Sequence, residues 1–472
     1  MRSSGSGRRR RLRELGALLG AAVRGTGGSP TEGSIPRAIA ILAVPMVLEM
    51  IMESVFAVVD IFFVSRLGAD AVAAVGITES LFTIVYTVGV GLSIGVTAVV
   101  ARRIGERNPA AASDATFQAL VLGVVVSVVL GVLGGWKAES LLRLMGASEA
   151  VIEQGSGYAR VMFGGNAAVM LLFLLNAAFR GAANAAIAMR VLWIANAVNI
   201  VLDPLLIFGI GPFPALGVTG AAVATTIGRG IGVALQLAVL LGGIGALELS
   251  VRSVRIAPAE MLRLVRLSAT GALQVFVSTA SWILLVRIVA GFGSPAVAGY
   301  TIAIRIVLFA LMPAWGLANA AATMVGQSLG ARQPERAEQS VWIAGRMNLY
   351  FLGTIGVLFI VAAPAIVGLF GGDAETNGYA ANGLRILSAG FFFYAYGMVI
   401  NQSFNGAGDA WTPTLLNLLC FWCWEIPLAW LLAHTLGVGA TGSFVAVTVA
   451  FSTLALVSGA VFRRGRWKLK MV

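Results

Sequence analysis

Charge is scarce in this chain. Only 11% of its 472 residues are Asp, Glu, Lys or Arg, against about 25% in a soluble globular protein, which nearly excludes a soluble domain. Histidine occurs once and cysteine twice, so a disulfide scaffold or a His/Cys metal cluster is not expected. No phosphate loop and no metal-ligand helix motif is present, and no cofactor is implied. What is abundant is apolar: 58% of residues are hydrophobic, too many for disorder. The few charges sum to +12, from 33 basic and 21 acidic residues. A basic surplus serves nucleic acid or a membrane surface. With this composition the membrane comes first and a nucleic-acid partner is not expected.

A bilayer span needs roughly 20 mainly apolar residues. Twelve stretches qualify, at about 38–64, 73–101, 113–136, 157–179, 186–209, 217–246, 267–290, 296–326, 341–370, 380–403, 412–433 and 437–461. The linkers after even-numbered spans carry bases: Arg102, Arg103 and Arg107, Arg180 and Arg190, Arg252, Arg255, Arg263 and Arg266, then Arg332 and Arg336. The opposite linkers 210–216, 291–295 and 434–436 have none. By the positive-inside rule both termini are cytoplasmic, in a bacterial-type plasma (inner) membrane. Residues 1–36, with Arg8, Arg9, Arg10, Arg11 and Arg13, read as a basic cytoplasmic extension able to touch anionic lipid. No clean cleavage pattern follows it. Residues 37–247 then form a first lobe of six spans, 248–266 a cytoplasmic linker, 267–462 a second lobe, and 463–472 a basic tail.

The two halves repeat. Gly105 and Pro109 match Gly330 and Pro334, Arg160 matches Arg385, Asn176 matches Asn401, and Phe179 and Gly181 match Phe404 and Gly406, each 225 positions apart. A constant offset over several spans marks a duplication. Six spans per half is an even number, so both halves enter the membrane in the same direction. The fold class is all-α integral membrane: two six-helix lobes related by a pseudo-twofold axis along the membrane normal, as in transporters. The offset falls to 222 at Thr219-Gly220 and Thr441-Gly442, because the first half has a longer linker at 210–216.

The duplication is broken at its acids. Ionisable groups at membrane depth are functional candidates by default. Glu49, Glu53 and Asp60 lie in the first span at i, i+4 and i+11, on one helical face. Glu79 lies in the second span, and Asn199 and Asp203 share a face of the fifth. At the constant offset, Asp60 faces Leu285, Glu79 faces Ile304 and Asp203 faces Leu428, so cation chemistry belongs to the first lobe. Asp60 and Asp203 lie at similar depth. Two carboxylates close together in low dielectric resist both being charged, which suits the pair to a proton; oxygens from Asn199 and Thr225 would suit it to Na⁺. The second lobe carries Arg287 and Arg305 at depth instead, candidates for a gate closed against Glu79 or Glu53. Glu425 in the eleventh span reads as an interior hydrogen-bond partner. Cys420 and Cys423 beside it read as helical packing, since metal-ligand partners are missing.

Three stretches resemble one family. Val-Asp-Ile-Phe-Phe-Val-Ser-Arg-Leu-Gly at 59–68, Asn-Ile-Val-Leu-Asp-Pro at 199–204 and Gly-Ala-Gly-Asp at 406–409 with Pro413 are similar to motifs of the multidrug and toxic compound extrusion (MATE) transporters. The resemblance is to the DinF-like branch and covers the chain beyond residue 36. It implies a secondary antiporter that exports cationic or lipophilic drugs in exchange for H⁺ or Na⁺ by alternating access, with membrane lipid around it, acting as a monomer and not as an enzyme. It implies that Asp60 and Asp203 couple the ion, with Asn199 and Thr225 (or Thr226) as polar partners. Tyr158 and Asn176 match further first-lobe positions. Glu49, Glu53 and Glu79 are additional to the family pattern and would suit cationic substrates. The seventh span offers Gln274, and the tenth has no acid, unlike the NorM-like branch. The alternatives are a lipid-linked precursor flippase of the same superfamily, which would want a basic cavity, and an integral membrane enzyme.

Overall fold

The computed structural model describes residues 4–26, 28–243, 245–249 and 256–470. Arg252 and Arg255, and the side chains of Arg8, Arg9, Arg10 and Arg11, lie outside that description. Among the described residues the regular structure is helical. In chain order the helices are α1 (Ser4–Arg24), α2 (Ile35–Ser65), α3 (Ala69–Gly105), α4 (Pro109–Trp136), the short α5 (Ala138–Leu144), α6 (Glu149–Gly164), α7 (Asn166–Gly181), α8 (Ala185–Phe208) and α9 (Val218–Leu241). There follow α10 (Pro258–Ala290), α11 (Ser294–Gly330), α12 (Pro334–Gly368), α13 (Ala374–Ala389), α14 (Phe391–Gly406), α15 (Trp411–Thr435) and α16 (Thr441–Arg463). Nine helices among the described residues are long and apolar enough to cross a membrane, and two bent pairs, α6–α7 and α13–α14, bring the number to 11. With α2, every one of the twelve apolar stretches has its helix. The helix of the seventh span starts at Pro258, inside the stretch expected as linker.

The turns follow local chemistry. Asn108 caps α4 by accepting from the Ala111 amide at 3.0 Å, and Pro109 fills the first helical position, where no N–H is needed. Ser148 and Asp373, 225 positions apart, cap α6 and α13 in the same way. The fourth span bends by 43° at Gly165 and the tenth by 58° at Gly390. Asn166 answers the break in the fourth span by donating to the Phe163 carbonyl. The repeat is visible in the backbone itself. Arg107 and Arg332 both take positive φ, at 58° and 59°, as do Ala183 and Gly408 at 62° and 83°.

The chain divides into two units, residues 48–269 and residues 1–47 with 270–472. The boundary between these two units falls inside α2, between Val47 and Leu48. The reason is a close approach: a Cβ on Gly316 of α11 would lie 2.7 Å from the Val47 nitrogen, so only glycine lets Met46 and Val47 seat there. In the same unit, Arg336 at the start of α12 donates to the carbonyls of Pro30, Glu32 and Gly33, and Glu338, two residues on, pairs with Lys468 at 2.6 Å. Both terminal segments are thereby tied to one end of α12.

Within each unit the fifth and sixth spans of the repeat form a helical hairpin. The Leu216 and Gly217 amides donate to Leu206 and Ile207, and the Val438 and Gly439 amides donate to Leu432 and Ala433. A Cβ on Gly220 would meet the Leu206 carbonyl at 2.5 Å, and one on Gly442 the Ala433 nitrogen at 2.8 Å. These matched contacts place Leu206 opposite Leu432, an offset of 226, whereas the start of the same helices keeps 225, with Asn184 on Phe179 and Asp409 on Phe404. Helix α15 has gained one residue relative to α8. It holds a π-helical run at Leu418–Glu425, the form an inserted residue takes inside a helix. Counted from the matched ends, Asp203 corresponds to Ala429, not Leu428, and Asn199 corresponds to Glu425.

Candidate functional site

The candidate site is built within residues 48–269. Helix α8 carries Asn199 and Asp203 on one face, 2% and 0% exposed. Pro204 lies inside the helix; having no N–H, it leaves the Ile200 carbonyl without its helical donor. Helix α9 approaches closely because residue 228 is glycine: a Cβ there would sit 2.7 Å from the Ala195 carbonyl and 3.1 Å from the Asn199 Cβ. That approach delivers Thr225 to Asn199. The Asn199 amide takes the orientation that satisfies all its neighbours. Its nitrogen donates to both Asp203 carboxylate oxygens, at 3.1 and 2.8 Å, and its oxygen accepts from the Thr225 amide at 3.1 Å and hydroxyl at 2.9 Å. Thr226 instead donates to the Ala222 carbonyl of its own helix, so of the two threonines it is Thr225 that faces the site.

Asp60 on α2 is 9% exposed, and its Oδ1 has no hydrogen-bond partner among the described residues. Its charge acts on Asp203, and that of Glu79 acts on Asp60. Tyr158, 3% exposed on α6, lies within electrostatic reach of Asp60, Asp203 and Glu79. Among the described residues no base forms an ion pair with Asp60 or Asp203. The four positions Asp60, Asn199, Asp203 and Thr225, with Tyr158 and Glu79, are thus brought to one place.

Glu49 and Glu53 are each paired with an arginine. Glu49 pairs with Arg180 at 2.9 Å and accepts from the Asn176 amide at 3.3 Å, while Gln236 donates to the Asn176 oxygen at 2.6 Å. Glu53 pairs with Arg229 at 2.5 Å and accepts from Asn196 at 3.2 Å; the Arg229 guanidinium also lies over the Phe56 ring at 5.3 Å. Two of the three acids expected to be open for a cationic substrate, Glu49 and Glu53, are therefore already paired with a base within their own unit. Sequence reading missed Arg229, Asn196 and Gln236. Arg229 carried a readable signal, since a base in the middle of an apolar span calls for a partner. The other unit repeats this network without charge: Gln274, the counterpart of Glu49, donates to Asn401 at 3.3 Å, and Asn401 donates to Asn417 at 3.1 Å.

The two candidate gate residues lie in the other unit. Arg287 is exposed and lines a surface groove with Leu284, Trp430 and His434. Arg305 is exposed on α11. Among the described residues no group of three or more His, Cys, Asp and Glu could hold a metal ion.

A search for relatives returns a coherent set. The MatE family model matches twice, over residues 45–205 and 271–431. A probable multidrug resistance protein of Bacillus subtilis, YoeA, is 28% identical over 448 residues, covering 94% of this chain and 96% of its own. A probable multidrug resistance protein of Caulobacter vibrioides, NorM, is 30% identical over 445 residues, covering 90% of each. A solved outward-facing conformation of a multidrug resistance MATE family transporter superposes with a TM-score of 0.88 at 25% identity, covering 94% of this chain and 99% of that one. One family model matched once in each half, on a chain whose second half repeats the six spans and the fifth–sixth span hairpin of its first, makes the protein a member of the MATE family.

Proposed function

We propose that the protein is a secondary antiporter that exports cationic or lipophilic compounds in exchange for H⁺ or Na⁺, with the ion taken up at Asp60 and Asp203. The observation that carries this reading is the state of Asp203: fully buried, gripped by Asn199, in reach of a second carboxylate, and without a base among the described residues. A carboxylate in that position needs a cation to offset its lost solvation. A proton or a sodium ion supplies that charge from one side of the membrane and leaves to the other. The multidrug names of the relatives support the drug class. On this reading a cationic substrate that reaches Glu49 or Glu53 competes with Arg180 or Arg229 for the carboxylate, so binding it frees an arginine.

The test is efflux from proteoliposomes with pH and Na⁺ gradients imposed separately. Asp203→Asn is expected to abolish gradient-driven efflux while leaving expression and folding intact. Efflux that persists in Asp203→Asn, or that ignores the collapse of both gradients, would sink the proposal.

A further inference from the structure

Glu425 is the most buried acid of residues 270–472, at 1% exposure, and neither of its carboxylate oxygens has a hydrogen-bond partner among the described residues. The expected interior partner is not there. Tyr300 of α11 and Tyr394 of α14, 2% and 4% exposed, lie within electrostatic reach of it, as does Cys420 on its own helix. The Tyr300 hydroxyl is likewise unpartnered, and that of Tyr394 lies beside Thr448.

The surround is aromatic. Tyr300 stacks on Phe444 at 5.6 Å, Tyr394 leans on Phe451 at 5.2 Å, and Phe451 meets Phe421 at 4.7 Å. The facing stretch of α16, from Phe444 to Leu454, has no ionisable residue, and neither has α10 from Val277 to Trp282, which bonds Trp422 and Asn417. The bases farther along these elements, Arg263, Arg266 and Arg287 on α10, Arg305 on α11 and Arg463 on α16, are exposed. Glu425 also closes the π-helical run of α15, a feature frequent at functional sites. The inserted residue sets it where the first half has Asn199, the residue that holds Asp203.

We propose that Glu425, Tyr300 and Tyr394 form a second cation site, contained within residues 270–472, where the carboxylate takes up a monovalent cation. The cation is either a proton on a carboxylate oxygen or a sodium ion shared with the tyrosine hydroxyls. A lone carboxylate enclosed by rings and hydroxyls loses its solvation with no fixed charge to replace it, and the two hydroxyls supply oxygen ligands or hydrogen bonds to the neutralised group. The site is a matter of binding and stands whether or not Asp60 and Asp203 couple transport.

Infrared difference spectra of the purified full-length protein in lipid, recorded across pH steps with sodium or choline chloride, test it. The parent is expected to show a protonated-carboxyl band that is lost in Glu425→Gln and kept in the Asp60→Asn, Asp203→Asn double variant. Loss of that band on adding sodium at constant pH, and not choline, assigns the sodium arm; insensitivity to sodium assigns the proton arm. Tyr300→Phe and Tyr394→Phe, which preserve ring packing, are expected to shift the band without removing it. Spectra of Glu425→Gln identical to the parent at every pH and salt would overturn the proposal. Should that variant not fold, a band unmoved in both tyrosine variants would do the same. Failure of efflux coupling in Asp203→Asn is a separate outcome, read in the efflux assay alone.

Discussion

Replacing Arg180 with methionine isolates one buried charge. In the parent protein the Glu49 and Arg180 side chains are 2% and 11% exposed and 2.9 Å apart. Arg180→Met leaves Glu49 with only the Asn176 amide, at 3.3 Å. Removing one partner of a buried pair costs about 3–5 kcal/mol, because the other charge stays behind. Removing both, as Glu49→Gln with Arg180→Met, should cost far less. The other unit already folds around the neutral version of the network, with Gln274 donating to Asn401. The two changes are therefore expected to couple by roughly the upper part of the 0.5–3 kcal/mol seen for contacting residues. The measurement is denaturant-induced unfolding in detergent micelles, followed by tryptophan fluorescence, for the parent, both single variants and the double. Glu53 and Arg229 serve as an internal comparison: Glu53 is 28% exposed, so solvent screens that pair and its coupling should be smaller. An Arg180→Met protein as stable as the parent, or a double variant equal to the sum of the singles, would refute the reasoning.

Two further outcomes follow from particular contacts. Gly220→Ala and Gly442→Ala should each destabilise by about 1–3 kcal/mol, because the new Cβ meets the backbone of Leu206 or Leu432–Ala433 and not a movable side chain; thermal unfolding of the two variants should show similar losses, and a stable Gly220→Ala would contradict the packing described. The Asp373 carboxyl is held below its ordinary value by its hydrogen bonds to Thr376. The cap contribution is then complete above the unfolded-state value and is lost only as pH falls through the lower folded value. Amide exchange at the start of α13 should stay slow on mild acidification, and should be faster in Asp373→Ala at every pH above that folded value, with the difference vanishing below it.

The spans and the duplication were legible because both rest on composition and spacing, which the chain states outright. Helix ends were read within a few residues, except at the starts of α6, α10 and α12, where polar residues from Glu149, Pro258 and Pro334 onward extend the helix beyond its apolar part. The grouping of Asn199, Asp203 and Thr225 was legible because i, i+4 spacing fixes one face and a short hairpin fixes the neighbour. The pairing of Glu49 and Glu53 was not. Arg180 lies 131 positions from Glu49 and Arg229 176 from Glu53, and no local pattern reports contacts between distant helices. Arg180 read as a loop base because it stands at the end of its span; in the fold its side chain reaches back to the acid. Glu425 was seen but placed in the wrong role, since a partner was assumed for it that the neighbouring helices do not supply.

The extra residue in α15 changes what the duplication means for the chemistry at depth. A helix turns by about 100° per residue, so an extra residue in a plain α-helix would swing every later side chain; the π-helical run takes it up and leaves Leu432 and Ala433 on the contacts that Leu206 and Ile207 make in the first half. Glu425 came to occupy the bearing of Asn199 by a change in count. The two halves have thus ceased to be interchangeable parts. A chimaera carrying two copies of span five, or two of span eleven, would keep its hairpin contacts, yet would put Asn199 where Glu425 stands, or Glu425 where Asn199 stands.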